Sequence, residues 1–379
     1  MDRRRFLKLA ASTSLATVAT QPWLGPAAHA SAGWHKTLVI VELAGGNDGL
    51  NTVVPFAQPT YQKLRPQLAL GRQDTIELAD GYGLHKALGD LMYAWDGGEL
   101  AIVRGVGLLQ TPCDHVRAAH IADTDNPNPT SDTPGWLTVA FSQTDVSALA
   151  TMAALLGGAD PGPATAGKWL QALDPENFKD NARQLRSQPN NLALAHLLGL
   201  DSLPKAQSLH DALAAAPQCR TRFPKSHLGA QMAMAARMIA AGMAVPVIRL
   251  VHHGYDTHLG QHQRHGALLA DLGASLSALR SELLRANRWK DTLVMTTTEF
   301  GRSAAQNKTQ GTEHGTGCDA ILMGGVVNGG FHGQPMDLDA LTQEGHLKPT
   351  TDPRALHATI TQALWNVSTN FKDPLPGLL

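Results

Sequence analysis

Four places in this 379-residue chain set carboxylates and imidazoles just beyond apolar runs. Asp48 follows Thr37 to Leu43. Asp256 and His258, behind His252 and His253, follow Val245 to Val251. Glu299 follows Asp291 to Thr297, and His314 stands beside Glu313 in the glycine-bearing loop that comes next. Oxygen and nitrogen donors in this mixture suit a divalent metal: zinc, manganese, calcium or magnesium, according to how many imidazoles join. Asp256 and His258 point the same way if the backbone between them is extended. Each position also has a plainer use. Asn47-Asp48-Gly49 is turn chemistry. His252 and His253 fit the flank of a core, Asp256 and His258 can hydrogen-bond each other, and Glu299 can pair with Arg302 three residues on.

A nucleophile is sought in Thr111-Pro112-Cys113-Asp114-His115-Val116-Arg117, which follows the apolar run Leu100 to Val106. A group at a helix start is helped by free backbone amides and the helix dipole. Thr111 and Cys113 are the candidate nucleophiles, and Cys113 would have its pKa lowered there. Asp114 and His115 belong to the same candidate catalytic segment, and Arg117 or Arg302 could neutralise an anionic substrate. Asp114 equally suits ordinary helix capping. The G-x-S-x-G, G-x-G-x-x-G and P-loop patterns are missing, which argues against that class of serine hydrolase and against nucleotide cofactors.

The elements that must hold these residues alternate. β-Branched runs at 37–43, 100–106, 245–251, 291–297 and 320–325 read as strands. Helical spacing appears over 85–95, 116–123, 228–243, 262–285 and 354–364. That order predicts an α/β fold, an α/β/α sandwich around a mainly parallel sheet, in which sites lie past the carboxyl ends of strands. The proline-rich and polar stretch 124–225 is expected to hold insertions within a single domain, 31–379.

The N-terminus, Met1-Asp2-Arg3-Arg4-Arg5-Phe6-Leu7-Lys8, followed by a short mild apolar stretch and Ala28-His29-Ala30, has the form of a twin-arginine signal peptide over residues 1–30. It predicts a twin-arginine export machinery as partner and a periplasmic or secreted location. No run is long and apolar enough for a stable membrane span. With 43% hydrophobic and 17% charged residues and a net charge of −1, the composition is globular and gives no sign of a nucleic-acid partner. Three cysteines, Cys113, Cys219 and Cys318, leave at least one thiol unpaired.

Leu43-Ala-Gly-Gly-Asn-Asp-Gly-Leu-Asn-Thr-Val-Val-Pro55, Tyr255-Asp-Thr-His258, Thr298-Glu-Phe-Gly-Arg302 and Gly311-Thr-Glu-His-Gly315 together resemble an exported family known as domain of unknown function 1501. Gly83-Leu-His85 and Pro134-Gly-Trp-Leu137 fit the same family, and the resemblance runs over nearly all of 31–379. The family is thought to be similar to the alkaline phosphatase and sulfatase superfamily. That implies an alkaline-phosphatase-like core with one or two divalent metal ions. Asp48, Asp256 with His258 or His262, Glu299 and His314 then match the metal positions, and 111–114 matches the nucleophile. Phe300 stands where the superfamily carries a histidine. Cys113-x-x-x-Arg117 resembles the sulfatase formylglycine signal, with His115 in place of the usual proline or alanine. The implied activity is hydrolysis of a phosphate or sulfate ester, on a small molecule or a glycan, under metal dependence. The alternative is an inactive envelope protein of the same fold that binds a glycan, a polymer or another protein.

Overall fold

A computed structural model describes residues 36–109, 114–130, 133–144, 153–156, 169–173, 215–369 and 372–379. The expected leader, Thr111 and Cys113 lie outside these residues. The strands are β1 (Thr37–Ala44), β2 (Val53–Val54), β3 (Thr75–Glu77), β4 (Gly83–His85), β5 (Leu100–Val106), β6 (Ala153–Leu156), β7 (Trp169–Leu173), β8 (Val247–His253), β9 (Thr292–Thr297), β10 (Arg302–Gln306), β11 (Thr312–His314), β12 (Cys318–Gly324) and β13 (Gly330–His332). The α-helices are α1 (Pro59–Leu64), α2 (Met92–Asp96), α3 (His115–Thr124), α4 (Trp136–Phe141), α5 (His227–Ala240), α6 (Gln261–Arg285) and α7 (Pro353–Trp365).

Eight strands form one sheet in the order β13-β5-β12-β9-β1-β8-β6-β7. Its pairings are parallel except those of β12, which runs against both β5 and β9. Within the stretch 124–225, β6 and β7 extend this sheet past β8. The predicted helix over 85–95 is instead a 3₁₀ segment, Lys86–Leu91, that breaks at Leu88 before α2.

The period-2 pattern of β1 sorts its side chains into two cores. Val39, Val41 and Leu43 join Leu228 and Met232 of α5 and Leu269, Leu272 and Leu276 of α6. Leu38 and Ile40 join Trp136 and Phe141 of α4 and Leu356, Ile360 and Leu364 of α7. Helices therefore cover both faces, giving the three-layer α/β/α sandwich. Each fully buried Leu, Ile or Val contributes about 1.5–3 kcal/mol, which is why a strand apolar on both sides must be covered on both.

The helices start where their sequences say they should. The Ser226 hydroxyl accepts from the Gly229 amide at the head of α5. The Asp352 carboxylate caps α7, with Pro353 in the first position, and α7 ends at Asn366 in the left-handed region. Asp114 caps α3 by accepting from the Arg117 amide at 2.8 Å. These caps fix where α3, α5 and α7 begin.

Candidate metal centre

β1, β8 and β9 are parallel, so the chain leaves all three at one edge of the sheet. β12 runs the other way, so its entry segment, not its exit, lies there. That entry segment ends the hairpin of β10 and β11, in which Arg302 stands opposite His314. Four stretches of chain distant in sequence are thereby delivered to one place.

The turn after β1 has Gly45 and Gly46 at φ of +117° and +85°, a region that favours glycine. A Cβ on Gly45 would lie 2.3 Å from the Asp256 amide nitrogen, so only glycine lets the two loops come so close. The Arg302 guanidinium is fully buried and binds the edge together. It donates to the carbonyls of Gly45, Gly46, Tyr255 and Thr312. It also reaches Asp256 Oδ1 at 2.7 Å. Fully buried and held by these contacts, it is not open to a substrate anion.

Three imidazoles surround Asp256. His258 Nε2 lies 3.0 Å and His314 Nε2 lies 3.2 Å from Oδ1. His115 Nε2 lies 3.8 Å from Oδ2. The Nε2 atoms of His258 and His314 are 3.0 Å apart. Two of the rings are held from behind: His115 Nδ1 meets Glu299 Oε1 at 2.9 Å, and His258 Nδ1 meets Glu313 Oε2 at 3.0 Å. Glu299 Oε1 in turn accepts from the Gly45 amide at 2.8 Å. Burial raises the Asp256 pKa, but hydrogen bonds from Arg302 and His314 and the charge of Arg302 more than reverse this, leaving it below the usual carboxylate value. The buried Phe300 ring packs against His115 and His314, with centroids 5.0 and 4.5 Å away.

Among the described residues, His115, Asp256 and His314 offer ligand atoms that all lie within 4.8 Å of one another. The donor set fits a divalent cation. Bonds of 2.0–2.1 Å in a tetrahedron put ligand atoms about 3.3 Å apart, close to the separations found. A carboxylate on the far nitrogen of a ligating histidine is the usual second support of such a site. His115, His314 and Asp256 together supply two imidazole nitrogens and one carboxylate oxygen.

The expected ligands divide accordingly. Asp256, His258 and His314 converge. Glu299 orients His115 rather than joining the convergence, and it does not pair with Arg302, whose carboxylate partner is Asp256. Asp48 is elsewhere engaged: its Oδ2 meets Arg65 Nη1 at 2.6 Å, with both side chains almost wholly buried, and also accepts from Gln261. Asp48 Oδ1 is buried without a hydrogen-bond partner. Burial raises the Asp48 pKa, but Arg65, His265 and Gln261 together more than reverse this, so the acid stays below its ordinary value. Beside it, His265 Nε2 contacts Asn47 Oδ1 at 2.9 Å. Of the segment before α3, Asp114 is spent on capping, Arg117 is exposed on the first turn, and His115 has moved from the catalytic candidates to the cation group. Only its place after β5 marked His115 in the sequence; its link to Glu299 spans too much chain to be read there.

A cavity of about 380 Å³ adjoins the centre at His115 and Glu299 and runs beneath α3 along β1, β8 and β9.

Residues 114–374 match the family described as Protein of unknown function (DUF1501), and the chain belongs to that family. The match begins at Asp114, so the segment around Asp48 falls before it. No curated protein matches the chain. Among solved structures, Ps i-CgsB in complex with k-i-k-neocarrahexaose is 10% identical with a TM-score of 0.45, covering 89% of this chain and 75% of that one. A protein in the Alkaline Phosphatase Superfamily from Vibrio parahaemolyticus is 13% identical with a TM-score of 0.38, covering 96% and 75%. The phosphonate monoester hydrolase SpPMH from Silicibacter pomeroyi is 10% identical with a TM-score of 0.41, covering 90% and 76%. At such scores these are likenesses only; the layered architecture stands on its own strands and helices.

Proposed function

We propose that this protein is a metal-dependent hydrolase of phosphate or sulfate esters, exported by the twin-arginine route to the periplasm or beyond. One observation carries the reading: His115, His258 and His314 turn their Nε2 atoms toward the Asp256 carboxylate at the strand-end edge of a parallel sheet. A divalent cation held there would polarise the ester oxygen and stabilise charge developing in the transition state. The chain's own residues do the rest. Glu299 and Glu313 fix the tautomers of His115 and His258 so that Nε2 faces the centre. Arg302 orients Asp256 and keeps it ionised. The segment carrying Thr111 and Cys113 leads into α3, whose first residue is His115, so the attacking group comes from that segment or from water.

Phe300 favours a second reading. Its ring occupies the flank of the centre where a further imidazole would complete a two-metal site. An inactive envelope protein that binds a glycan, a polymer or another protein would keep one cation for structure alone. Purified protein should contain about one equivalent of metal by elemental analysis, and Asp256→Ala should lose it together with ester hydrolysis. Metal bound without turnover of any phosphate or sulfate ester would select the second reading. Metal-free protein that refuses added cations would end the hydrolase reading.

A further inference from the structure

Resting on the hydrolase reading, we infer that the cavity beside the centre receives the organic part of the ester, and that this part is uncharged and hydroxyl-bearing. The cavity's described lining holds three carboxylates, Glu42, Asp123 and Glu299, against one guanidinium, Arg249. Arg249 sits between two of these acids, 3.0 Å from Asp123 and 3.4 Å from Glu42. His357, also on the lining, is tied to Asp125 at 2.7 Å. Among the described residues the charged side chains of this lining are therefore mostly acidic, the opposite of what an anion receptor needs. The ester's own anionic group belongs at the cation centre, and a second anionic group in the cavity would meet Asp123 and Glu42 at short range.

The polar demand of the cavity is for groups that both donate and accept. His120 Nε2, on the lining, is buried without a hydrogen-bond partner. The Trp136 ring forms another wall, stacked on His357 with centroids 4.0 Å apart. A hydroxyl satisfies an imidazole nitrogen in either tautomer, and an aromatic wall suits the C–H face of a small polyol. The volume is at the small end of ligand pockets, so the group is a single compact unit.

The test uses two esters of one carbon skeleton, glycerol 3-phosphate and 3-phosphoglycerate, and the matching pair of sulfates. The wild-type protein should hydrolyse the glycerol ester at least tenfold faster in kcat/KM. Asp123→Asn, which removes one acid from Arg249, should cut that preference to threefold or less. Glu42→Gln carries the same expectation should Asp123→Asn not fold. Equal rates for the two esters, or a preference for 3-phosphoglycerate, overturn the inference. If no ester is turned over, the hydrolase reading fails by itself. Calorimetric binding of the two esters then decides the cavity: tighter glycerol 3-phosphate supports it, equal or reversed affinity sinks it.

Discussion

Asp48 offers the sharpest separation between a ligand and a scaffold residue. In Asp48→Ala the Arg65 guanidinium stays buried and loses its only carboxylate partner among the described residues. Three other bonds hold it in place, to Ala304 O, Asn51 Oδ1 and Ser303 O, so it cannot swing out to water. Removing one partner of a buried pair costs about 3–5 kcal/mol. Gln261 also loses its acceptor, but that loss overlaps with the first, so about 4 kcal/mol is the expectation. In a domain of this size each kcal/mol moves Tm by about 2 °C, giving a fall of roughly 8 °C. The assay is thermal unfolding followed by circular dichroism, in chelator and again with zinc, alongside equilibrium dialysis for the cation. The gap between wild type and variant should be constant from pH 5 to 8. Asp48 titrates lower folded than unfolded, so its contribution is present above the unfolded carboxylate value and fades as pH falls through the folded one. The reasoning is refuted if Tm in chelator is unchanged while cation binding disappears, since Asp48 would then be a ligand and not the counter-charge of Arg65.

Two further outcomes follow from other sites. Burial holds His265 down to about 4, so the folded state carries it neutral. Between its unfolded value near 6.5 and 4 the unfolded chain binds more protons, and wild-type stability should fall by roughly 3 kcal/mol on acidification across that window. His265→Gln should flatten this slope in urea titrations at pH 4.5 and 7; an unchanged slope would show that His265 is not the group responsible. At the N-terminus, replacing Arg3 and Arg4 by lysine should leave the protein in the cytoplasm of a host with twin-arginine export, as read by cell fractionation. Normal periplasmic recovery of that variant would rule out the expected leader.

The strands were legible where burial left a continuous apolar run. The run predicted from Leu100 to Val106 coincides with β5, and that from Thr37 to Leu43 with all but the last residue of β1. The run at 245–251 begins two residues early, because Pro246 has no amide to give the ladder; it accepts from Leu38 instead, and pairing starts at Val247. The hairpin of β10 and β11 and the small sheet of β2, β4 and β3 were not foreseen. Strands of two to five residues show too few alternations to carry a period, and their register comes from partners. In the site, Asp256 and His258 were readable as a pair, but what joins them at 3.0 Å is a tight turn, with the Thr257 amide donating to the Tyr255 carbonyl, and not the extended backbone expected. The assignment of charges was not readable. Glu299 and Arg302 sit three apart, a spacing that brings side chains together on a helix, but here the connection between β9 and β10 is not helical and bends at Glu299. Arg302 is free to find Asp256, and Glu299 to find His115, through contacts that no local pattern encodes.

Because β12 runs against its neighbours, His314 enters the site with a strand that the ribosome makes late. β5 is made early, yet both its partners in the sheet, β12 and β13, follow nearly all the rest of the chain. A nascent polypeptide therefore carries β5 as a bare edge, and Asp256 without its third imidazole, until the last quarter of translation. On the hydrolase reading proposed above, cation capture would then belong to the finished molecule.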